Sequence, residues 1–167
     1  MRAFLILITV FGLTAFQAPK ASITFKIKNA GFSVKGNISG LQSDIHFDPA
    51  NLAQSTIKAS VRSATLDTDI KKRDEHLHSE DFLDILTYPK LSFISTSILQ
   101  KDAGYVAKGK LTIKDVTRTI EIPFAWQNNW FKGEFTINRQ DYDVGSNSWI
   151  LSDDVTIQFD IPQNTSH

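Results

Sequence analysis

The sequence predicts an all-β fold, an antiparallel sandwich or up-and-down barrel of eight or nine strands, interrupted by one short helical insert. Three observations lead there. Apolar and polar residues alternate with a period of two through most of the 167 residues, as they do in strands with one covered face. The links between alternating runs are short and rich in turn formers, which favours antiparallel neighbours. Only Thr65 to Phe93, TLDTDIKKRDEHLHSEDFLDILTYPKLSF, breaks the alternation, with crowded charges at helical spacing.

The strands follow in order. Ile23, Phe25 and Ile27 alternate with Thr24, Lys26 and Lys28, and Phe32, Val34 and Ile38 resume after Asn29-Ala30-Gly31. Ile45 and Phe47 form the next run, stopped by Asp48-Pro49, and Ile57, Ala59 and Val61 alternate with Lys58, Ser60 and Arg62. Beyond the insert come Leu91 to Leu99, then Tyr105, Ala107, Leu111 and Ile113, then Ile120, Ile122 and Phe124. Phe131, Phe135 and Ile137 follow, and Val155, Ile157, Phe159 and Ile161 close the series. Lys101-Asp102-Ala103-Gly104, Asp115-Val116-Thr117 and Asn128-Asn129 supply turns.

A closed sheet of eight strands has an interior just wide enough for packed side chains or one small ligand. Nine of the twelve phenylalanines lie between Phe25 and Phe159. Phe25, Phe32, Phe93, Phe124 and Phe135 therefore either fill a core or line a tunnel. Packing on its own favours the filled core, and alternation leaves both open.

Residues 1 to 17 are expected to be a signal peptide: Arg2 is basic, and Phe4 to Phe16 is nearly continuous apolar sequence that ends before Pro19 and Lys20. The run is short for a bilayer span; an uncleaved membrane anchor is the alternative reading. Residues 18 to 167 then form one exported domain, periplasmic or secreted, with no stable membrane insertion after cleavage. The absence of cysteine rules out disulfides and a cysteine-linked lipid anchor, and a domain of this size can bury enough apolar surface without them. With 18 basic and 18 acidic residues, the charge balance offers nothing to a polyanion, so nucleic acid is not an expected partner.

Within the insert, Asp74 and His78 would share a helix face, but no third metal ligand accompanies them, so no metal is expected. A short amphipathic helix is the favoured reading, with Ser79 as N-cap of a second helical piece and Ile70, Leu77, Phe82 and Leu86 on its buried side. Arg139 and Asp141, two apart on a strand, are expected to pair with each other or with the insert as a structural ion network. Nucleophilic catalysis lacks its parts: there is no cysteine, no Gly-x-Ser-x-Gly elbow and no phosphate loop. No catalytic residue is assigned.

The insert resembles that of the YceI-like family of exported lipid-binding proteins. The likeness lies in Thr68, Arg73-Asp74-Glu75-His76-Leu77, Ser79, Asp81-Phe82, Tyr88-Pro89 and Phe93. It continues through Ser22 to Lys28, Gly31-Phe32, Gly36, His46-Phe47-Asp48-Pro49, Leu52 and Gly109-Lys110-Leu111-Thr112-Ile113. Ile137-Asn138-Arg139, Asp141-Tyr142 and Gly145 complete it, so that it spans about residues 21 to 162. Asn29 stands where the family often has His, and the lead-in before Ser22 is short.

The resemblance implies an eight-stranded antiparallel lipocalin-like barrel with the helical insert at one end. It implies no catalysis and no resident cofactor, but a tunnel holding a co-purifying isoprenoid, quinone or fatty amide. The expected function is an exported carrier or store for such a lipid, and a homodimer is compatible with it. Candidate lining residues are Phe25, Ile27, Phe32, Val34, Leu77, Phe82, Leu86, Phe93, Leu111, Ile113, Phe124, Phe135, Tyr142 and Trp149. Arg73, His76 and Arg139 are the candidates for a head group at the mouth. A filled structural or stress-related β-domain is the alternative, followed by a hydrolase or isomerase using the charged insert.

Overall fold

The computed structural model describes residues 20–163; the leader expected over residues 1 to 17 lies outside them. Among the described residues ten strands form one sheet. β1 (Ser22–Asn29), β2 (Phe32–Ile38), β3 (Gln42–His46), β4 (Thr56–Arg62) and β5 (Leu66–Asp67) precede the helix α1 (Lys71–His78). β6 (Lys90–Lys101), β7 (Gly104–Ile113), β8 (Val116–Gln127), β9 (Trp130–Asn138) and β10 (Leu151–Pro162) follow. The spatial order is β3-β4-β6-β7-β8-β9-β10-β1-β2-β5, and every pairing is antiparallel. The sheet curls into a barrel-like trough whose two ends, β3 and β5, are not hydrogen-bonded to each other. The fold class is the expected one. The ten strands are the nine alternating runs of the sequence plus the two-residue β5 beside Asn37 and Ile38, against the eight that the resemblance implies.

The turns follow from backbone chemistry. Ala30-Gly31 and Asn128-Asn129 each link strands through two residues of positive φ, 50° and 82° in the first pair, 52° and 63° in the second. That is the twist a two-residue hairpin needs, and glycine and asparagine adopt it at low cost. A bulge between Ser95 and Ser97 in β6 shifts its register against β7. Leu91 and Phe93 face inward before it and Ile98 after it, leaving Leu99 61% exposed. Simple alternation across Leu91 to Leu99 does not survive that extra residue.

Three glycines on the concave face set the shape of the interior. Gly36 pairs with Phe25 across β1–β2, and Gly133 pairs with Phe159 across β9–β10. Gly109 of β7 lies diagonally from Phe93 of β6. A Cβ at Gly109 or Gly133 would sit 2.6 or 2.5 Å from the ring Cζ of Phe93 or Phe159, and one at Gly36 would strike the Phe25 ring. Each ring therefore occupies the space a side chain on the neighbouring strand would need. Each ring thus reaches across the neighbouring strand. Gly133→Ala must displace both the Phe159 ring and the nearby Pro123 carbonyl; overpacking of this kind costs about 1–3 kcal/mol. Urea unfolding is expected to show that loss, and an unchanged midpoint would contradict the packing account.

Candidate functional site

Between the two halves of the curled sheet lies an apolar cavity of about 190 Å³. Every strand from β1 to β10 except β5 contributes to its wall, with Leu41 just ahead of β3. The wall is aliphatic and aromatic, and among the described residues Ser60 and Ser92 are its only polar members. Burial of an apolar chain here is favourable at about 25 cal/mol per Å² removed from water.

The two ends of the trough are shut by different means. At one, Phe47 packs edge-on against Tyr105, Phe124 and Phe131, with ring centroids 5.1 to 5.6 Å apart. Trp126 Nε1 donates to Gln163 Oε1 at 2.9 Å, and Gln163 Nε2 donates to the Phe47 carbonyl at 2.9 Å. That tie pins Gln163 over the aromatic plug. At the other end the insert folds over Leu83, Ile113 and Tyr142, which pack with Leu66, Ile85, Leu91 and Ile137.

The charged residues of the insert hold it in shape. Asp74 Oδ1 accepts from the Thr68 backbone N–H at 2.9 Å and from Thr68 Oγ1 at 2.5 Å. Arg73 Nε donates to Thr68 Oγ1 at 2.7 Å and its Nη2 to the Thr68 carbonyl at 2.8 Å. Thr68, 3% exposed, is thus clasped on both sides from the first turns of α1. His78 Nε2 lies 3.1 Å from the Leu66 carbonyl, and Ser63 Oγ donates to the Tyr88 carbonyl at 2.6 Å. The Asp74–His78 pair considered for a metal is occupied by these structural contacts. Among the described residues, no group of three or more metal-ligating side chains comes together. Ser79 caps the C-terminus of α1, donating to the His76 carbonyl at 2.7 Å; a series of turns follows, where a second helical piece was expected.

Arg139 has a comparable structural role. It lies in a 3₁₀ turn, Arg139–Tyr142, where a strand was expected. It is 3% exposed and donates to the carbonyls of Ser152, Val144 and Ser146 and to Asp153 Oδ1, at 2.8 to 3.0 Å. Its carboxylate partner is Asp153, not Asp141; the Asp141 carbonyl instead accepts from Arg118 Nε. The guanidinium fixes the loop that leads into β10. Arg73 and Arg139 therefore point into protein backbone. His76 is exposed and its ring meets that of Phe82 edge-on, with centroids 4.8 Å apart. None of the three lines the cavity.

Five of the candidate lining residues, Phe93, Leu111, Ile113, Phe124 and Phe135, are on the cavity wall, as are Ala59 and Ala107. Phe25 is buried over Gly36 and outside the wall. Ile27 and Val34 pair with each other, half-buried, toward the β1–β2 hairpin, also outside it. Leu77 and Phe82 are half-buried in the insert, where Phe82 abuts Gly145, and Tyr142 sits in the cluster beneath them. Phe32, Leu86 and Trp149 are 78%, 93% and 105% exposed. Phe32 has inward parity but stands at the hairpin tip opposite Asn29, while Leu86 and Trp149 lie in loops outside the covered faces. Ile70, placed on the buried side of the insert from the sequence, is 50% exposed.

Most of the wall comes instead from Ile23, Ile38, Leu41, Ile45, Ile57, Val61, Leu91, Ile122, Phe131, Ile137, Ile157, Phe159 and Ile161. Period-two alternation marks nearly all of them as inward-facing. What it lacks is the position of each along its strand, which decides between cavity and plug.

Partial burial raises the Asp74 pKa, but the hydrogen bonds from Thr68, a further one involving Asp67 and the nearby His78 outweigh it, so the carboxyl lies below its ordinary value. Folding then favours the ionised form. That stabilisation is present above the unfolded-state pKa of about 3.9 and is lost as pH falls through the folded value. Asp74→Asn is expected to lower stability at neutral pH and to flatten its decline below about pH 4. Denaturation midpoints measured from pH 7 to pH 2 check this; parallel curves for the two proteins would contradict it.

The comparisons with known proteins agree on this architecture. The family model of the YceI-like domain matches residues 15–162. A UPF0312 protein of Vibrio cholerae is 31% identical over 145 residues, 78% of this chain and 77% of the relative. The crystal structure of Burkholderia cenocepacia BcnA has a TM-score of 0.79 at 28% identity, covering 84% of this chain and 94% of that one. A polyisoprenoid binding domain from Saccharophagus degradans, implicated in plant cell wall breakdown, shares the fold at TM-score 0.61 and 12% identity, covering 84% and 91%. With nearly the whole described chain matched, the protein belongs to the YceI-like domain family.

Proposed function

We propose that this protein binds a long apolar lipid of the isoprenoid or quinone class between the two halves of its sheet. It would then act as a carrier or store for that lipid, not as an enzyme. The observation that carries the reading is the cavity: an interior walled by aliphatic and aromatic groups, in which phenylalanine rings reach over glycines of the neighbouring strands. A filled core would have used those glycine positions for side chains. The polyisoprenoid binding domain that shares the fold supports the same chemistry. Branched wall residues such as Ile122 and Ile157 suit a methyl-branched chain.

We further propose that the chain is exported, on the strength of the apolar run from Phe4 to Phe16 behind Arg2. A lipid of this class is poorly soluble in water, so moving it through an aqueous compartment would need such a container. Association and chain ordering offset part of the burial energy, which leaves room for release.

Native mass spectrometry of gently purified protein, followed by solvent extraction, is expected to reveal a lipid adduct. A clean apo mass and no uptake of added isoprenoid or quinone would overturn the reading. Ala107, 2% exposed on the cavity wall, offers a second test. Ala107→Trp is expected to shorten the longest isoprenoid retained, with the fold checked by circular dichroism. An unchanged chain-length preference would contradict an interior site.

A further inference from the structure

We propose, resting on the lipid-binding reading, that the lipid enters and leaves sideways through the seam between β1–β2 and β3–β4, and that an anionic polar end rests in that seam. Both ends of the trough are shut, one by the Phe47 aromatic plug with its Gln163 tie, the other by the clasped insert. The seam is different. Among the described residues β3 stands at one end of the strand order, and the strand laddered to it is β4. On the far side β2 is bordered by β5 at Asn37 and Ile38 alone. The sheet halves can part here without breaking a long ladder of hydrogen bonds.

A cleft of about 1510 Å³ follows this seam on the outside. It shares wall residues with the inner cavity: Ile23, Ile38 and Leu41 from one side, and Ala59, Ser92 and Phe93 from the other. The two spaces are therefore neighbours across a single layer of side chains. The inner cavity, at about 190 Å³, falls below the ~300–1,000 Å³ of ordinary ligand pockets. A long chain seated inside must widen it or extend through this layer, and the seam permits both.

The cleft also has the chemistry for a polar end. Among the described residues, Lys20, Lys58 and Lys90 line it against one carboxylate, Asp44. The Lys58–Asp44 contact is 3.6 Å long with both side chains more than half exposed, a weak pair that a stronger anion can replace. Asn37 and Gln42 add neutral hydrogen-bonding groups. A phosphate or carboxylate on the lipid's end would meet an excess of positive charge here, whereas Arg73 is spent on Thr68 and Arg139 on backbone carbonyls and Asp153.

The native chain has no cysteine, so a single introduced thiol can be blocked selectively. Ser60→Cys, on the wall shared by cavity and cleft, is compared with Leu86→Cys at the insert. Each is labelled with a bulky maleimide, with unlabelled protein as its own control, and given geranylgeranyl phosphate in phosphatidylcholine vesicles. Labelling Ser60→Cys is expected to slow uptake at least tenfold and labelling Leu86→Cys to leave it unchanged. Normal uptake by labelled Ser60→Cys, or a block only at Leu86→Cys, would overturn the lateral route. Lys58→Glu with Lys90→Glu is expected to weaken geranylgeranyl phosphate at least fivefold more than geranylgeraniol; equal effects would overturn the seat for the anionic end. Failure of the unmodified protein to take up either lipid would instead count against the lipid-binding reading itself.

Discussion

The interior depends on phenylalanine rings lying over glycines in adjacent strands. Gly36, Gly109 and Gly133 leave gaps in the concave face, and Phe25, Phe93 and Phe159 lie down into them. Two constraints are met at once. The rings bury their area against the sheet, as a core requires, and they fill the space over the glycines. Glycine within a strand costs backbone entropy and contributes no packing of its own; rings across it recover the lost contact. The same pairing allows close strand approach, since a Cβ at Gly109 or Gly133 would also meet a backbone carbonyl.

The other features divide into closures and a seam. Phe47 and Gln163 shut one end, and the insert shuts the other. The insert's charges look like an active site in the linear sequence, yet the structure uses them to tie the chain to itself. Thr68 is held by Asp74 and Arg73, and Arg139 gathers four acceptors around one guanidinium. A buried guanidinium without those partners would be costly, so the motif is conspicuous for structural reasons. Between β3 and β2 no strand ladder runs among the described residues.

The fold class was legible because alternation and hairpin turns depend on neighbouring residues. Ile23-Phe25-Ile27 and Val155-Ile157-Phe159-Ile161 read correctly as inward faces, and Asn128-Asn129 as a tight turn. The site was less legible because it depends on facts that are not local. Phe32 has the parity of a lining residue and projects past the covered face. Leu99 is turned outward by a bulge two to four residues before it. Trp149 and Leu86 are large and apolar, and both stand in the open. Phe124 and Ile122 contribute to the packed core as well as the cavity wall, so even a correct inward assignment does not separate filling from lining. Gly109 and Gly133 carried the missing signal, but only the register that sets a ring over each reveals it.

The central claim is that an isoprenoid chain lies inside, between the sheet halves. Intermolecular nuclear Overhauser effects between a bound isoprenoid and methyl-labelled protein test it most directly. The account predicts contacts from the lipid to the methyl groups of Ile122 and Ile157, both on the inner wall. Contacts confined to the exposed Leu86 and Ile150, with Ile122 and Ile157 silent, would place the lipid on the surface and contradict it.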